Sequence, residues 1–165
     1  MRRAAFGLLL LLAACRHGDQ VADDPDANKL PRIELPAVGA QDYSPDMLNG
    51  RVVLVHFTAT WCFPCLEELP TMAALQNKYG SRGFQVIAIG MDREGRKVLE
   101  PFAYHYDLPF PVLVADEQYR NGQSRFGVIK VLPTNILFAR DGNAIAGWSL
   151  SKLDEVEKMI EGALR

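Results

Sequence analysis

The feature that most constrains the fold of this chain is an abrupt change of hydrophobic pattern around two cysteines. Residues 51–58, with the sequence RVVLVHFT, form a nearly continuous run of β-branched and apolar residues, which is typical of a strand that is buried on both faces. From Leu66 onwards, apolar residues recur at helical spacing. The sequence therefore predicts a central strand followed by a helix, with Cys62 and Cys65 at the junction.

The N-terminal segment MRRAAFGLLLLLAAC indicates export from the cytoplasm. Two arginines precede an apolar run from Leu8 to Ala14, and this run is too short to cross a hydrocarbon core, which needs about 20 apolar residues. We expect residues 1–14 to be a signal peptide. The residues that follow contain four aspartates and almost nothing that could form a core, so residues 15–30 are predicted to be a flexible tether.

The end of the apolar segment carries a more specific pattern. Leu12-Ala13-Ala14-Cys15 resembles the lipobox of bacterial lipoproteins, in which the cysteine is lipidated and becomes the mature N-terminus. The resemblance implies that Cys15 anchors the protein to a membrane of the bacterial cell envelope, facing the periplasm or the outer face of the cytoplasmic membrane. An ordinary signal peptide followed by an incidental cysteine is the alternative.

Residues 31–165 have the length of one domain and are numerous enough to bury a substantial core. The chain has 18 basic and 20 acidic residues, a formal net charge of −2, so nothing in its charge suggests binding to nucleic acid. No second membrane segment follows Ala14. We expect this domain to be a monomer.

Three kinds of site could use the two cysteines of residues 62–65. A structural zinc site needs four ligands, whereas the chain has one such pair, and His56 and His105 are not spaced as a second one. A purely structural disulfide would close a very short loop and remove little entropy from the unfolded chain. Because thiols outside the cytoplasm tend to be oxidised, a redox-active disulfide is the preferred interpretation, with no metal and no other cofactor.

The two cysteines are predicted to have different roles. Cys62 would lie at the N-terminus of the helix, where unpaired N–H groups and the helix dipole stabilise a thiolate, and we expect it to be the exposed nucleophile. Cys65, nearly one turn further on, would be more buried and would resolve the mixed disulfide that Cys62 forms with a substrate. Pro64 fits the first helical turn, where its missing N–H costs little.

The segment WCFPCLEELP resembles the W-C-x-P-C-x-x-E-x-P signature of the TlpA/ResA-like thioredoxin-fold proteins of the bacterial envelope. The matching residues are Trp61, Cys62, Pro64, Cys65, Glu68 and Pro70. Similarity along FQVIAIGMD, FPVLVAD and FGVIKVLPTNILFARDGNAI extends the resemblance from about Ile33 to Arg165. It implies an α/β, thioredoxin-like fold with a central mixed β-sheet flanked by helices on both faces, and thiol:disulfide oxidoreductase activity.

The resemblance also implies where a substrate would dock. Pro133 would be a cis-proline that lies against the disulfide, and the residue before it, Leu132, would present its backbone to a substrate strand. Trp61 and Phe63 lie beside the nucleophile and would form an apolar rim for a protein substrate, although exposed apolar residues without a role are the alternative. The predicted docking residues are Trp61, Phe63, Pro64, Leu132 and Thr134.

Four further residues could support the chemistry of the cysteines. His56 lies six residues before the first cysteine, where thioredoxin has a buried aspartate, and is either a core histidine, a proton acceptor for Cys65 or a cation that stabilises a thiolate. Glu68 matches the family signature, although a glutamate on a helix surface is commonplace. The family also tends to have a carboxylate after the second strand, and spacing does not choose between Asp92 and Glu94, either of which could be a solvated loop charge.

These observations predict a membrane-tethered thiol:disulfide oxidoreductase that reduces disulfides of envelope proteins, in cytochrome c maturation or in preparing copper-site cysteines. Its partners would be protein thiols and disulfides, together with a membrane thiol-disulfide donor that supplies the electrons. A disulfide-forming oxidant or isomerase would use the same motif, and a copper-binding metallochaperone is the alternative from a different class. A peroxidase is disfavoured because Trp-Cys-x-Pro-Cys is not the arrangement of a single peroxidatic cysteine.

Overall fold

The structure is a computed structural model that describes residues 26–149 and 153–165. The predicted signal peptide, the predicted lipidation site Cys15 and most of the predicted tether lie outside the described residues. At the end of that tether, Lys29 forms a β-bridge with Asn143, and the backbone N–H of Leu30 donates to the carbonyl of Gly142 at 2.7 Å. A hairpin near the other end of the chain therefore holds the backbone of Lys29 and Leu30.

Six strands form one sheet in the order β1-β4-β3-β2-β5-β6. They are β1 Ala37–Val38, β2 Val52–Thr58, β3 Phe84–Gly90, β4 Val112–Val114, β5 Thr134–Phe138 and β6 Ala144–Trp148. β3 pairs in parallel with both β2 and β4, whereas β1, β5 and β6 pair antiparallel with their neighbours. Every residue of β2 and β3 is buried, as expected of central strands covered on both faces. The predicted mixed sheet and its central strand are confirmed.

Among the described residues, four α-helices accompany the sheet. They are α1 Phe63–Tyr79, α2 Arg96–His105, α3 Glu117–Arg120 and α4 Leu153–Ala163. The chain passes from β2 through α1 to β3, and then through α2 to β4, moving in one direction across the sheet. Since parallel crossovers are almost always right-handed, α1 and α2 must pack on the same face.

The two faces of the sheet are covered differently. On one face, Leu69 of α1, Leu99 of α2 and Ile160 of α4 pack in one buried cluster with strand residues such as Leu54 and Val86. The other face is covered by the N-terminal segment through Ile33 and Leu35, by the 3-10 turn Pro45–Leu48 and by Tyr119 of α3. The prediction of helices on both faces is confirmed, with three helices on one side and the short α3 on the other.

The topology places the cysteines at one edge of the sheet. The loop of residues 59–62 connects the carboxyl end of β2 to the first residue of α1, and ligands of open α/β sheets bind outside the carboxyl ends of the parallel strands. Within residues 26–149 and 153–165, no helix has both the length and the apolar character that crossing a bilayer requires.

Candidate active site

Cys62 and Cys65 form a disulfide at the start of α1. Cys62 is the N-cap of the helix, and its sulfur accepts a hydrogen bond from the backbone N–H of Cys65 at 3.3 Å. Pro64 lies in the first turn, as predicted. The N–H of Cys62 donates to the carbonyl of Ala59 at 3.0 Å, which closes the loop between strand and helix. The first cysteine therefore lies at the N-terminus of the helix, where the dipole stabilises an anion.

The burial of the two sulfurs differs less than predicted. Cys65 is fully buried and Cys62 is only 4% exposed, so the predicted order holds, but the prediction of an exposed Cys62 is wrong for the oxidised protein. The physical reason is local packing, because the two cysteines form a small apolar cluster with Ala59, against which Leu132 packs. The position of Leu132 therefore contributes to the low exposure of Cys62.

The loop that carries Pro133 lies against the disulfide. The Leu132–Pro133 peptide bond is cis, as the family resemblance implies, Pro133 is buried, and Leu132 contacts the cysteine cluster. The hydroxyl of Thr134 donates to the carbonyl of Val131 at 2.7 Å, so this predicted docking residue is engaged in holding the loop. The segment of residues 131–134 thus forms one wall of the site.

The predicted apolar rim is exposed beside the disulfide. Trp61 is 70% exposed and Phe63 is 69% exposed, although both flank a cysteine that is nearly inaccessible. Single exposed apolar residues are common on protein surfaces, whereas apolar residues that cluster beside a reactive group mark a candidate interaction site. The structure therefore presents an apolar surface where a substrate must approach the sulfurs.

Asp92, rather than Glu94, is the carboxylate close to the cysteine loop. Asp92 is 1% exposed, and its carboxylate accepts hydrogen bonds from the backbone N–H of Thr60 at 3.1 and 3.2 Å and from the hydroxyl of Thr60 at 2.6 Å. Glu94 is exposed. These contacts tie the loop before Trp61 to the end of β3, and so Asp92 positions the rim.

A buried polar network lies beneath the site. His56 of β2 and Asn135 of β5 are directly paired across the sheet, and Glu68 of α1 reaches the same point. The amide nitrogen of Asn135 donates to Oε2 of Glu68 at 3.0 Å, and Oδ1 of Asn135 lies 2.8 Å from Nδ1 of His56. All three residues are at least 97% buried. The sequence-based alternative of a surface position for Glu68 is therefore wrong.

The direction of these hydrogen bonds fixes the tautomer of His56. A carboxylate only accepts hydrogen bonds, so the NH2 group of Asn135 must face Glu68 and its carbonyl oxygen must face His56. Nδ1 of His56 therefore carries the hydrogen and donates it to Asn135. Nε2 of His56 has no hydrogen-bond partner among the described residues. The ring therefore has a buried nitrogen lone pair, at the position where thioredoxin has its buried aspartate.

Burial keeps the ring of His56 neutral. Loss of hydration lowers the pKa of His56 from its usual range, and the hydrogen bond with Asn135 and the charge of Glu68 oppose this effect without reversing it. Nδ1 of His56 approaches Oε2 of Glu68 to 3.7 Å. Because the ring is neutral near pH 7, this approach is not an ion pair. In this state His56 can accept a proton but does not supply a positive charge to a thiolate.

We expect His56 to make the protein less stable in mild acid. Since the folded pKa is depressed, the unfolded chain binds a proton first as the pH falls below about 6.5. The stabilising contribution is therefore complete above that pH and is lost as the pH falls, at a rate of at most about 1.4 kcal/mol per pH unit. Denaturant unfolding between about pH 7.5 and about pH 5.5 measures this slope.

The control for this experiment is the other histidine of the domain. His56→Gln is expected to flatten the pH dependence, whereas His105→Gln, at an exposed position on the last turn of α2, is expected to leave it unchanged. Identical slopes in the wild-type protein and in His56→Gln would contradict the assignment of a buried neutral ring.

Asn135 belongs to the site but is not among the residues predicted from the sequence. One signal was present, because along TNILF the side chains of Asn135 and Leu137 share a face of β5, and both are buried. A polar residue in line with a core leucine indicates a buried hydrogen-bonding partner. Its partners, however, are 67 and 79 positions away in the sequence. The pairing of β2 with β5 brings His56 to Asn135, and the position of α1 brings Glu68.

Comparison with known proteins gives consistent matches. The model of the AhpC/TSA family matches residues 27–145. The thiol-disulfide oxidoreductase ResA of Bacillus cereus is 36% identical over 122 residues, which cover 72% of this chain and 64% of that protein. ResA of Oceanobacillus iheyensis is 28% identical over 169 residues, covering 95% of this chain and 79% of that protein. The chain thus spans 64% of the length of the Bacillus cereus relative.

Solved structures include similar folds. The crystal structure of a thiol:disulfide interchange protein of the thioredoxin family from Chlorobium tepidum has a TM-score of 0.65 with this chain and is 26% identical in sequence. The similarity covers 82% of this chain and 99% of that structure.

Proposed function

This chain belongs to the AhpC/TSA family and is a ResA/TlpA-like protein with a thioredoxin-like fold, and on this premise we propose that it is a thiol:disulfide oxidoreductase that reduces disulfides of envelope proteins. The observation that carries the proposal is the Cys62–Cys65 disulfide at the N-terminus of α1. Leu132 packs against the small cluster that the two cysteines form with Ala59, and the exposed residues Trp61 and Phe63 flank Cys62 in the sequence.

The reaction needs only the two cysteines and a substrate disulfide. In the reduced protein, the thiolate of Cys62 attacks one sulfur of the substrate disulfide, the bond between the substrate sulfurs breaks, and the departing sulfur takes up a proton. Cys65 then loses its proton and attacks the sulfur of Cys62, which releases the second substrate thiol. Two electrons and two protons pass to the substrate, and the protein is left as the disulfide.

The fold assigns these steps to different sulfurs. The N-terminus of α1 stabilises the anion on Cys62, whose sulfur already accepts a backbone hydrogen bond. Cys65 is fully buried, so a substrate cannot reach it first. Glu68 lies about one helical turn beyond Cys65 on α1, and we assign the proton of Cys65 to the buried network that Glu68 forms with Asn135 and His56.

The location and the physiological context are part of the same proposal. The signal peptide and the lipobox-like Cys15 support attachment to a membrane of the cell envelope, where a membrane thiol-disulfide donor would return the protein to the dithiol. The resemblance to the TlpA/ResA-like proteins supports a reductive step in cytochrome c maturation. Such a step requires a protein that remains reducing in an oxidising compartment.

The direction of electron flow is tested by the reduction potential. We expect the Cys62–Cys65 couple to equilibrate with glutathione at a potential near that of thioredoxin, about −270 mV, since a reductant must hold its electrons weakly. The chain has two tryptophans, so Trp148→Phe leaves the fluorescence of Trp61, next to Cys62, as the readout. A potential above about −150 mV would instead establish the disulfide-forming oxidant.

A further inference from the structure

A groove of about 610 Å³ opens beside the disulfide and is not explained by the chemistry of the cysteines. It begins at Trp61 and Leu132, which flank the two sulfurs, and runs between the end of β3, α3 and the segment before Pro133. Its apolar lining consists of Trp61, Met91, Ile129, Val131 and Leu132. We call this feature the basic groove, because the remaining lining is mostly cationic.

Three cations and one carboxylate line the basic groove. The cations are Arg93, Arg120 and Lys130, and the carboxylate is that of Glu117. This local excess of positive charge contrasts with the whole chain, whose formal net charge is −2. None of the three cations takes part in an ion pair within the part of the chain that the structure describes. Their charge is therefore directed at the groove and the solvent.

One of the cations is held in place. The guanidinium of Arg120 donates to the backbone carbonyl of Ala115, and the side chain is only partly exposed. A guanidinium has five N–H donors in a rigid fork, so this contact orients the group and leaves further donors for a ligand. Arg93 and Lys130 are exposed and can adjust to a ligand that Arg120 has already positioned.

We propose that the basic groove selects substrate proteins in which the reacting cysteine is flanked by an acidic side chain and an apolar side chain. The inference rests on the proposed function and adds to it the chemistry of the substrate. The apolar lining next to the sulfurs receives the apolar side chain, while Arg93, Arg120 and Lys130 receive the carboxylate. A segment of a polypeptide fits this requirement, because it carries its cysteine, its apolar residue and its charge at fixed intervals along one strand.

The test uses the reduced protein and a set of short synthetic peptides that differ only in charge. Each peptide has one cysteine, blocked as a mixed disulfide with uncharged mercaptoethanol, and an adjacent leucine. The flanking positions carry glutamate, glutamine or lysine. The reduced protein transfers two electrons to this disulfide, which gives the free peptide thiol, mercaptoethanol and the Cys62–Cys65 disulfide. The second-order rate constant is measured by chromatography of the released peptide.

We expect the glutamate peptide to react about threefold to tenfold faster than the glutamine peptide at low ionic strength, and the lysine peptide to react more slowly than both. The preference should shrink when salt is raised to several times the physiological level, because the charges of the groove are close to solvent. A preference that is unchanged by salt would overturn the role of these charges.

Reversing charges of the basic groove tests whether this groove causes the preference for the glutamate peptide. The double variant Arg93→Glu, Lys130→Glu is expected to invert the order, so that the lysine peptide reacts fastest. The control Lys97→Glu, Lys158→Glu changes the net charge by the same amount at exposed positions on α2 and α4 that do not line the groove, and it should retain the wild-type order.

The outcomes separate this inference from the function on which it rests. Equal rates for the three peptides, or the same inversion in the control variant, would overturn selection by the basic groove and leave the oxidoreductase intact. Failure of the reduced protein to reduce any of the peptides would overturn both.

Discussion

Replacing Cys65 with serine is expected to convert the protein into a trap that accumulates covalent complexes with its substrates, whereas Cys62→Ser is expected to form none. In Cys65→Ser the nucleophile remains at the N-terminus of α1, but the thiol that resolves the mixed disulfide is missing. In Cys62→Ser the remaining thiol is fully buried and cannot reach a substrate. The two variants therefore fail at different steps of one reaction.

The expected effect on rate is large for both variants. Because the two thiols act as a unit, loss of either should lower turnover of a peptide disulfide by about 10³-fold or more. The two variants differ in the product that accumulates, which non-reducing electrophoresis and intact-mass spectrometry distinguish. For Cys65→Ser, the mass should increase by that of one substrate chain, and a reductant should remove it.

The matched background for this experiment is Cys15→Ser. The chain has three cysteines, so in protein prepared without the lipid this substitution leaves residues 62 and 65 as the only positions that can form a mixed disulfide. If Cys62→Ser accumulated the adduct and Cys65→Ser did not, the assigned roles would be reversed.

The local part of the site could be predicted because its determinants are close together in the sequence. The run before Cys62 and the helical spacing after it specify the strand and the helix, and the loop between them is too short to place the cysteines anywhere else. The cis bond before Pro133 was expected from the family resemblance alone. A generic X–Pro bond is cis in only about 5–6% of cases, and the sequence near Pro133 contains no local signal that raises this figure.

The remainder of the site depends on contacts between distant segments. Asp92 and Glu94 are two positions apart on the same loop, and only the position of Thr60 relative to β3 makes one a buried hydrogen-bond acceptor and the other a solvated charge. The basic groove likewise combines residues from four separated parts of the chain. Charge counts along the sequence cannot reveal such a cluster, because the fold alone determines which charges become neighbours.

The buried network of His56, Asn135 and Glu68 is a contact between distant segments that we expect to contribute strongly to the free energy of unfolding. Asn135 accepts from one partner and donates to the other, so replacing it with leucine removes both hydrogen bonds and keeps the approximate volume. His56 then has no partner for either nitrogen, and the carboxylate of Glu68 loses a donor inside the protein. Unpaired buried polar and charged groups are among the most destabilising changes known.

We therefore expect Asn135→Leu to lower the free energy of unfolding by about 3–5 kcal/mol. Denaturant unfolding of the oxidised protein measures this change, and the disulfide should remain intact throughout. Asn77→Leu is the matched control, because it makes the same replacement at an exposed position on α1 and should change the free energy by no more than about 0.5 kcal/mol.

A triple variant shows whether Asn135→Leu is unstable because His56 and Glu68 lose their hydrogen-bond partner or because leucine has the wrong shape for the position. When His56, Glu68 and Asn135 are all replaced by leucine, none of the three polar side chains remains to be left without its partner in the network, and replacing a buried polar network by apolar residues is often neutral or stabilising. The triple variant should therefore recover most of the stability that Asn135→Leu loses, while its rate of disulfide exchange stays low if the network takes the proton of Cys65. If the triple variant were as unstable as Asn135→Leu, the cost would lie in the shape of the side chain, and the hydrogen bonds of Asn135 would not explain why a polar residue is buried there.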